Sequence, residues 1–164
     1  MKKLSYEVLM DKKENPRKCT IAPLKDRTDF KIRYFQRNMK IPAFQTTLLL
    51  HIDGISLDEF AKSSMNVESI GVIDCTWKKV EGALSRLEKP FPMLARIPNG
   101  FLTAYPRKNA HGLDPDAGLA TIEAIFIAAA FCGQWDESLL EHYHFGKDFL
   151  KINAPLWGKY ALAK

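Results

Sequence analysis

Val72-Ile-Asp-Cys-Thr-Trp77 is an apolar strand that stops abruptly in an acid, a hydroxyl and an indole. Further along, Leu119-Ala-Thr-Ile-Glu-Ala124 opens a long, apolar, Ala-rich helix with a Thr and a Glu in its first turn. Each is an ordinary way to end a strand or begin a helix. Together they put ionisable, hydroxyl and aromatic groups where open α/β sheets bind ligands, outside the carboxyl ends of the strands.

Outward from that pair the chain reads as alternating elements. Tyr6–Met10 is a short strand, and Asp11–Lys18 is a polar, basic loop broken by Pro16. Phe30–Phe35 alternates apolar and basic residues, as a half-exposed strand does. Thr46–Ile52 is a mostly buried strand closed by an Asp53-Gly54 turn. Ser56 or Asp58 caps a short helix reaching Ser63. Glu68–Asp74 is the central strand, and Lys78–Glu88 is a helix stopped by Pro90 and Pro92. Gly100–Tyr105 reads as another strand, and Pro106–Asp116 as a polar loop carrying Arg107, Lys108 and His111. Helices follow over Leu119–Cys132 and Asp136–Lys151, and the tail around Pro155 and Trp157 packs back on the domain. Strands alternating with helices predict an α/β fold, a single domain over residues 1–164, with a mostly parallel sheet flanked by helices. Helix Leu119–Cys132 is apolar on every side, so it belongs between the sheet and another layer.

A chain of 164 residues, 46% hydrophobic, is enough for one domain with a proper core. Its net charge of +5 favours an anionic partner, nucleic acid foremost, although many metabolic enzymes share such a charge. Cys19, Cys75 and Cys132 are isolated, so neither a zinc ribbon nor a disulfide framework is suggested. The charged start lacks the apolar run of a signal peptide, and the run Ala124–Cys132 is too short to span a bilayer. A reducing cytoplasm is the expected address, with no membrane partner.

Several familiar chemistries are absent. Neither a Rossmann nor a P-loop glycine fingerprint occurs, nor a Gly-x-Ser-x-Gly elbow, nor His-Glu-x-x-His. His142 and His144 are two apart and share no helix face, so no metal site is expected. A ligand must be held by backbone groups and a few side chains.

Three segments resemble a known superfamily. Asp74-x-Thr76-Trp77 resembles the Asp-x-Thr-Trp signature of DTW-domain proteins and of their relatives, the small-subunit ribosomal RNA aminocarboxypropyltransferases. Leu119-Ala-Thr121-Ile-Glu123-Ala124 is similar to the Leu-Ser-Thr-x-Glu-Ala motif of both branches. Asn15-Pro16-Arg17-Lys18-Cys19-Thr20 is similar to the Asp-Pro-Lys-x-Cys-Thr segment of the ribosomal branch. Thr103-Ala-Tyr-Pro-Arg-Lys108 stands instead closer to a Tyr- and Arg-bearing loop of the DTW branch. The resemblance implies a SPOUT-like fold with a C-terminal knot that binds S-adenosylmethionine. It also implies transfer of the 3-amino-3-carboxypropyl group to N3 of a uridine or pseudouridine. Ribosomal RNA, within a subunit or its precursor, is the first partner it implies. Transfer RNA is the alternative, and a non-catalytic RNA- or ribosome-binding module on this fold is a second. A methyltransferase on the shared fold is the third.

The same resemblance implies roles. Ile73 offers backbone to the ribose hydroxyls, and Trp77 walls the sulfonium side of the pocket, where an aromatic face favours a cation. Thr20 and Thr121 bond the amino-acid part or its neighbouring backbone, while Leu102 and Ala124 lie along adenine-side loops. Asp74 is the first candidate for the charge-handling acid and Glu123 the second. The cations Arg17, Lys18, Lys25, Arg27, Arg33 and Arg37 meet RNA phosphates. Structural roles compete with each of these. Asp74 and Thr121 also read as helix caps, Glu123 as a first-turn acid complementing the helix dipole, Trp77 as a core anchor, and the basic run as a solvated surface.

Overall fold

Alternation in the strands sorts side chains onto two faces of a sheet, as the period of two requires. In the computed structural model, which describes residues 2–13, 15–106 and 118–163, strand β1 (Ser5–Asp11) sends Tyr6, Val8 and Met10 to one face and Leu9 to the other. Its neighbours are β2 (Phe30–Phe35) and β4 (Ser69–Asp74), and beyond β4 lie β3 (Leu48–Ser56) and β5 (Met93–Arg96). The order is β2-β1-β4-β3-β5, and every pairing is parallel.

The helices divide between the faces. After a single turn, α1 (Leu57–Phe60), comes α2 (Trp77–Arg86), whose Ala83 and the following Leu87 cover the Leu9 face together with Phe35, Ile41 and Phe44. On the other face lies α3 (Thr121–Phe131), with nine of its eleven residues buried. At roughly 1.5–3 kcal/mol for each large apolar side chain removed from water, this burial far outweighs any local helix propensity. The outer side of α3 is covered by α4 (Gly146–Ile152) and α5 (Ala154–Lys159). There Trp157 is packed among Phe101, Phe126, Trp135 and Phe149, so the tail does fold back.

The structure departs from the sequence reading in four places. Asp53-Gly54 is not a turn: β3 runs on to Ser56 past a register irregularity between Leu50 and Ile55. A Cβ on Gly54 would come within 2.4 Å of the Ala95 backbone, so the glycine lets β5 close against β3. At this irregularity the Asp53 N–H donates to His51 Nδ1 at 3.2 Å, while His51 Nε2 faces Glu81 of α2 at 3.4 Å. Gly100–Tyr105 is not a strand but an irregular stretch, and the fifth strand is instead Met93–Arg96. Asp136–Lys151 is no single helix. It breaks into a 3-10 turn over Glu137–Leu140 and the separate α4. Asp136 caps the turn by accepting from the Ser138 N–H at 3.1 Å. The expected helix from Ser56 to Ser63 shortens to Leu57–Phe60.

The topology creates one crevice. β1 and β4 are neighbours with Met10 opposite Asp74. From their carboxyl ends the chain leaves in opposite directions. After β1 it passes over the α3 face, burying Ile21 and Leu24, and continues to edge strand β2. After β4 it passes through α2 on the other face and reaches β5 at the opposite edge. Such a reversal is where open α/β sheets leave room for a ligand.

Candidate functional site

Four segments meet at that reversal: the turn after β1, the end of β4, the stretch before residue 106 and the start of α3. Lys18, Cys19, Thr20, Asp74, Tyr105, Ala120 and Thr121 line a small polar cleft there. A broader depression over Glu137–Leu150 is lined by His142, His144 and Lys147. Only the small cleft takes in Asp74 at the end of β4, so it is the candidate site.

Asp74 is its centre. The Thr121 hydroxyl donates to Asp74 Oδ1 at 2.7 Å, and the Cys19 thiol donates to Asp74 Oδ2 at 3.6 Å. Burial first, and the Asp74 charge second, push the Cys19 thiol up from its ordinary range. Beside Asp74, the last residue of β1, Asp11, meets Lys79 of α2 at 2.5 Å. Burial alone would push the Asp11 carboxyl up, but the Lys79 hydrogen bond and charge bring it below the usual carboxylate range.

The start of α3 has no side-chain cap of its own, because the N-cap position is Ala120. Two other groups supply what it lacks, one from the turn after β1 and one from the helix's own first turn. Thr20 Oγ1 accepts from the Ile122 N–H at 3.2 Å, and Glu123 Oε2 accepts from the Ala120 N–H at 2.8 Å. Glu123 Oε1 takes the Ala104 N–H at 2.9 Å and the Tyr143 hydroxyl at 2.8 Å. A fully buried carboxylate is tolerable only with such satisfaction. One side chain thereby ties α3 to the 101–105 stretch and to the segment before α4. The buried Asn153 holds the same stretch at Leu102, accepting from its N–H at 2.8 Å and donating to its C=O at 2.9 Å.

Of the expected site residues, the structure brings Thr20, Asp74 and Thr121 together with Lys18. Ile73 is half-buried and packs on the Leu9 face, so its side chain points away from the α3 side of the sheet. Leu102 has its backbone clamped, although the residue is 59% exposed. Ala124 lies on no loop: it is in the first full turn of α3, its N–H bonded to the Ala120 carbonyl at 3.0 Å. Glu123, expected as a second acid, is buried with both oxygens occupied, and its place is that of an anchor. Trp77 opens α2, and its side chain lies outside the described residues, as do Arg107, Lys108 and His111 of the expected polar loop.

The basic set divides. Arg17, Lys18, Lys25 and Arg37 are exposed. Arg27 is committed to Asp29 at 2.8 Å and to Ser138 through bonds of 3.0 and 3.1 Å. Arg33 pairs with the buried Glu7 at 2.7 Å and donates to the Pro42 carbonyl at 2.8 Å. Lys12, Lys13 and Lys40, which follow the neighbouring carboxyl ends of β1 and β2, are exposed as well. Sequence reasoning missed Cys19 as a partner of Asp74, and Tyr105, Tyr143 and Asn153 as supports. The signal for Cys19 was its place between Lys18 and Thr20, and that for Tyr105 its place in the Tyr- and Arg-bearing loop; Tyr143 and Asn153 carried none.

The ribosome biogenesis protein C-terminal family model matches residues 55–164. No curated protein sequence matches the chain. Among solved structures, the chain is similar to the SAM-dependent rRNA:acp-transferase Tsr3 from Vulcanisaeta distributa. The two superpose with a TM-score of 0.69 over 96% of this chain and 83% of the other, at 20% identity.

Proposed function

Because the chain belongs to the ribosome biogenesis protein family, we propose that it transfers a 3-amino-3-carboxypropyl group from S-adenosylmethionine to N3 of a uridine or pseudouridine in ribosomal RNA. The observation that carries this reading is the Asp74 carboxylate, held by Thr121 and Cys19 at the strand reversal of a fold shared with a SAM-dependent rRNA:acp-transferase. The family also favours ribosomal over transfer RNA, and a cytoplasmic site of action fits three cysteines that form no disulfide.

The residues fit such a ligand. Asp74 lines the cleft as a counter-charge for a sulfonium or ammonium group. Ala120 and Thr121 line it with the amino end of an eleven-residue helix, which favours a carboxylate. Trp77 opens α2 three residues past the end of β4, where an indole suits a cation. Bound S-adenosylmethionine supplies the carbon beside its sulfonium, whose bond to sulfur breaks as the bond to N3 forms, with methylthioadenosine leaving and the N3 proton passing to a base. Asp74 is the group we assign to accept that proton or balance the developing charge. Leu102 offers an apolar side chain for the adenine side, on backbone fixed by Asn153. Glu123 positions Ala104 without touching the reacting atoms. Lys12, Lys13, Arg17, Lys18, Arg37 and Lys40 present the RNA face. A C-terminal knot belongs to the same reading.

The test is reaction with ribosomal RNA and cofactor labelled separately in the methyl and the carboxyl carbon. Carboxyl label in RNA is the expected result. Methyl label alone makes the protein a methyltransferase and overturns the proposal, and no label from either makes it a binding module.

A further inference from the structure

We propose that Cys19 and Thr121 form a two-sided clamp, a pair of positioning residues that sets the plane of the Asp74 carboxylate. The inference rests on the reading that Asp74 serves the transfer. An aspartate turns easily about its last torsion, whose energy well is broad. In a half-open polar cleft its plane is therefore undefined unless both oxygens are tied. Here they are, by donors 47 residues later and 55 residues earlier in the chain.

The two donors are themselves joined. Thr20, next to Cys19, accepts from the Ile122 N–H, next to Thr121, at 3.2 Å. The turn after β1 and the first turn of α3 are thus stapled to one another while each sends one donor to the same acid. The donors differ in strength. A hydroxyl at 2.7 Å on a carboxylate is a strong charge-assisted bond, whereas a thiol is a weak donor. Oδ1 is therefore the fixed oxygen. Oδ2, held by the thiol, is the one ready to take up a further partner, and it is the oxygen we assign to the acceptor base.

The experiment uses the full chain in two arms. In the first, Thr121→Val should lower kcat about tenfold while KM for S-adenosylmethionine stays within about twofold, and Thr121→Ser should restore most of the rate. A residue that served packing alone would lower stability and leave kcat in place. In the second arm, iodoacetamide labelling of each cysteine is followed by peptide mass mapping in the wild type and in Asp74→Asn. Removing the negative charge should speed Cys19 labelling several-fold and leave Cys132, whose thiol burial alone pushes up to about 11, unchanged. Equal Cys19 rates overturn the clamp, as does Thr121→Val with kcat kept and KM raised. The labelling arm needs no transferase activity, so a chain that transfers nothing defeats the functional reading while the clamp is still decided by the cysteine rates.

Discussion

Asn153 grips Leu102 through both of that residue's backbone groups, at 2.8 and 2.9 Å, from 51 positions away. A third bond, from Asn153 Nδ2 to the Phe149 carbonyl at 3.0 Å, fixes the gripping side chain to α4. The pairing does what a neighbouring strand would do, with one side chain in place of a ladder. Asn153→Ala should therefore cost about 2–3 kcal/mol, the scale of leaving buried polar groups without partners. It should also weaken S-adenosylmethionine binding by loosening Leu102. Denaturant midpoints and calorimetry read the two effects; a stable variant with unchanged affinity would detach Leu102 from the site.

Trp77→Ala should weaken S-adenosylmethionine binding by at least about 1 kcal/mol, on the scale of an aromatic packing and cation–ring interaction. Calorimetry on the folded variant checks it, and unchanged affinity removes Trp77 from the pocket.

Asp74→Asn should cut turnover by about a hundredfold or more with little change in cofactor affinity, as the proposed action of the carboxylate on charge developing during transfer requires. If Asp74 only supported local structure, its loss would instead appear as about 1 kcal/mol of thermal stability with turnover nearly kept.

RNA affinity should fall steeply with salt, and replacing Arg17, Lys18 and Arg37 with Gln should flatten that dependence, by about one unit of slope for every phosphate no longer neutralised. Arg27→Gln and Arg33→Gln should behave differently, lowering stability because they leave Asp29 and the buried Glu7 without their arginine partners. Filter binding across a salt series, with melting curves of the same variants, separates the two groups. Equal slope changes in both would return Arg27 and Arg33 to the RNA face.

Acid should unfold the protein in part through Asp29. The Arg27 hydrogen bond, and after it that of Lys3, pull its carboxyl down to about 2. A depressed acid contributes stability above its unfolded value and loses it as pH falls through the folded one. The loss should thus fall between about pH 4 and pH 2, and Asp29→Asn should remove that part of the stability-against-pH curve.

Wherever periodicity alone decides an element, the chain was legible. Tyr6–Met10, Phe30–Phe35 and Glu68–Asp74 alternate or run apolar, and the uniformly apolar α3 could go only between two layers. Illegible elements were those set by a distant partner. Met93–Arg96 is four residues long behind Pro90 and Pro92, and becomes a strand only because Gly54 lets β3 approach it. Gly100–Tyr105 has a strand's pattern, but its backbone groups go to Asn153 and Glu123. At the site, Asp74 and Thr121 were visible as motif residues, but their hydrogen bond was not. Glu123 looked like a second acid because sequence records a carboxylate without its burial. Arg27 and Arg33 looked like surface cations because their partners, Ser138 and Pro42 among them, sit in other segments.

The clamp on Asp74 has a consequence for synthesis. A nascent chain can pair β1, β2 and β4 as soon as residue 74 has emerged, yet it holds no finished cleft, because one of the two donors arrives only with Thr121 and the staple only with Ile122. Contacts this distant in sequence form late, after the loop between them has closed. The half-made polypeptide therefore has Asp74 without its clamp; the first turn of α3 completes it, while the grip on Leu102 waits for Asn153.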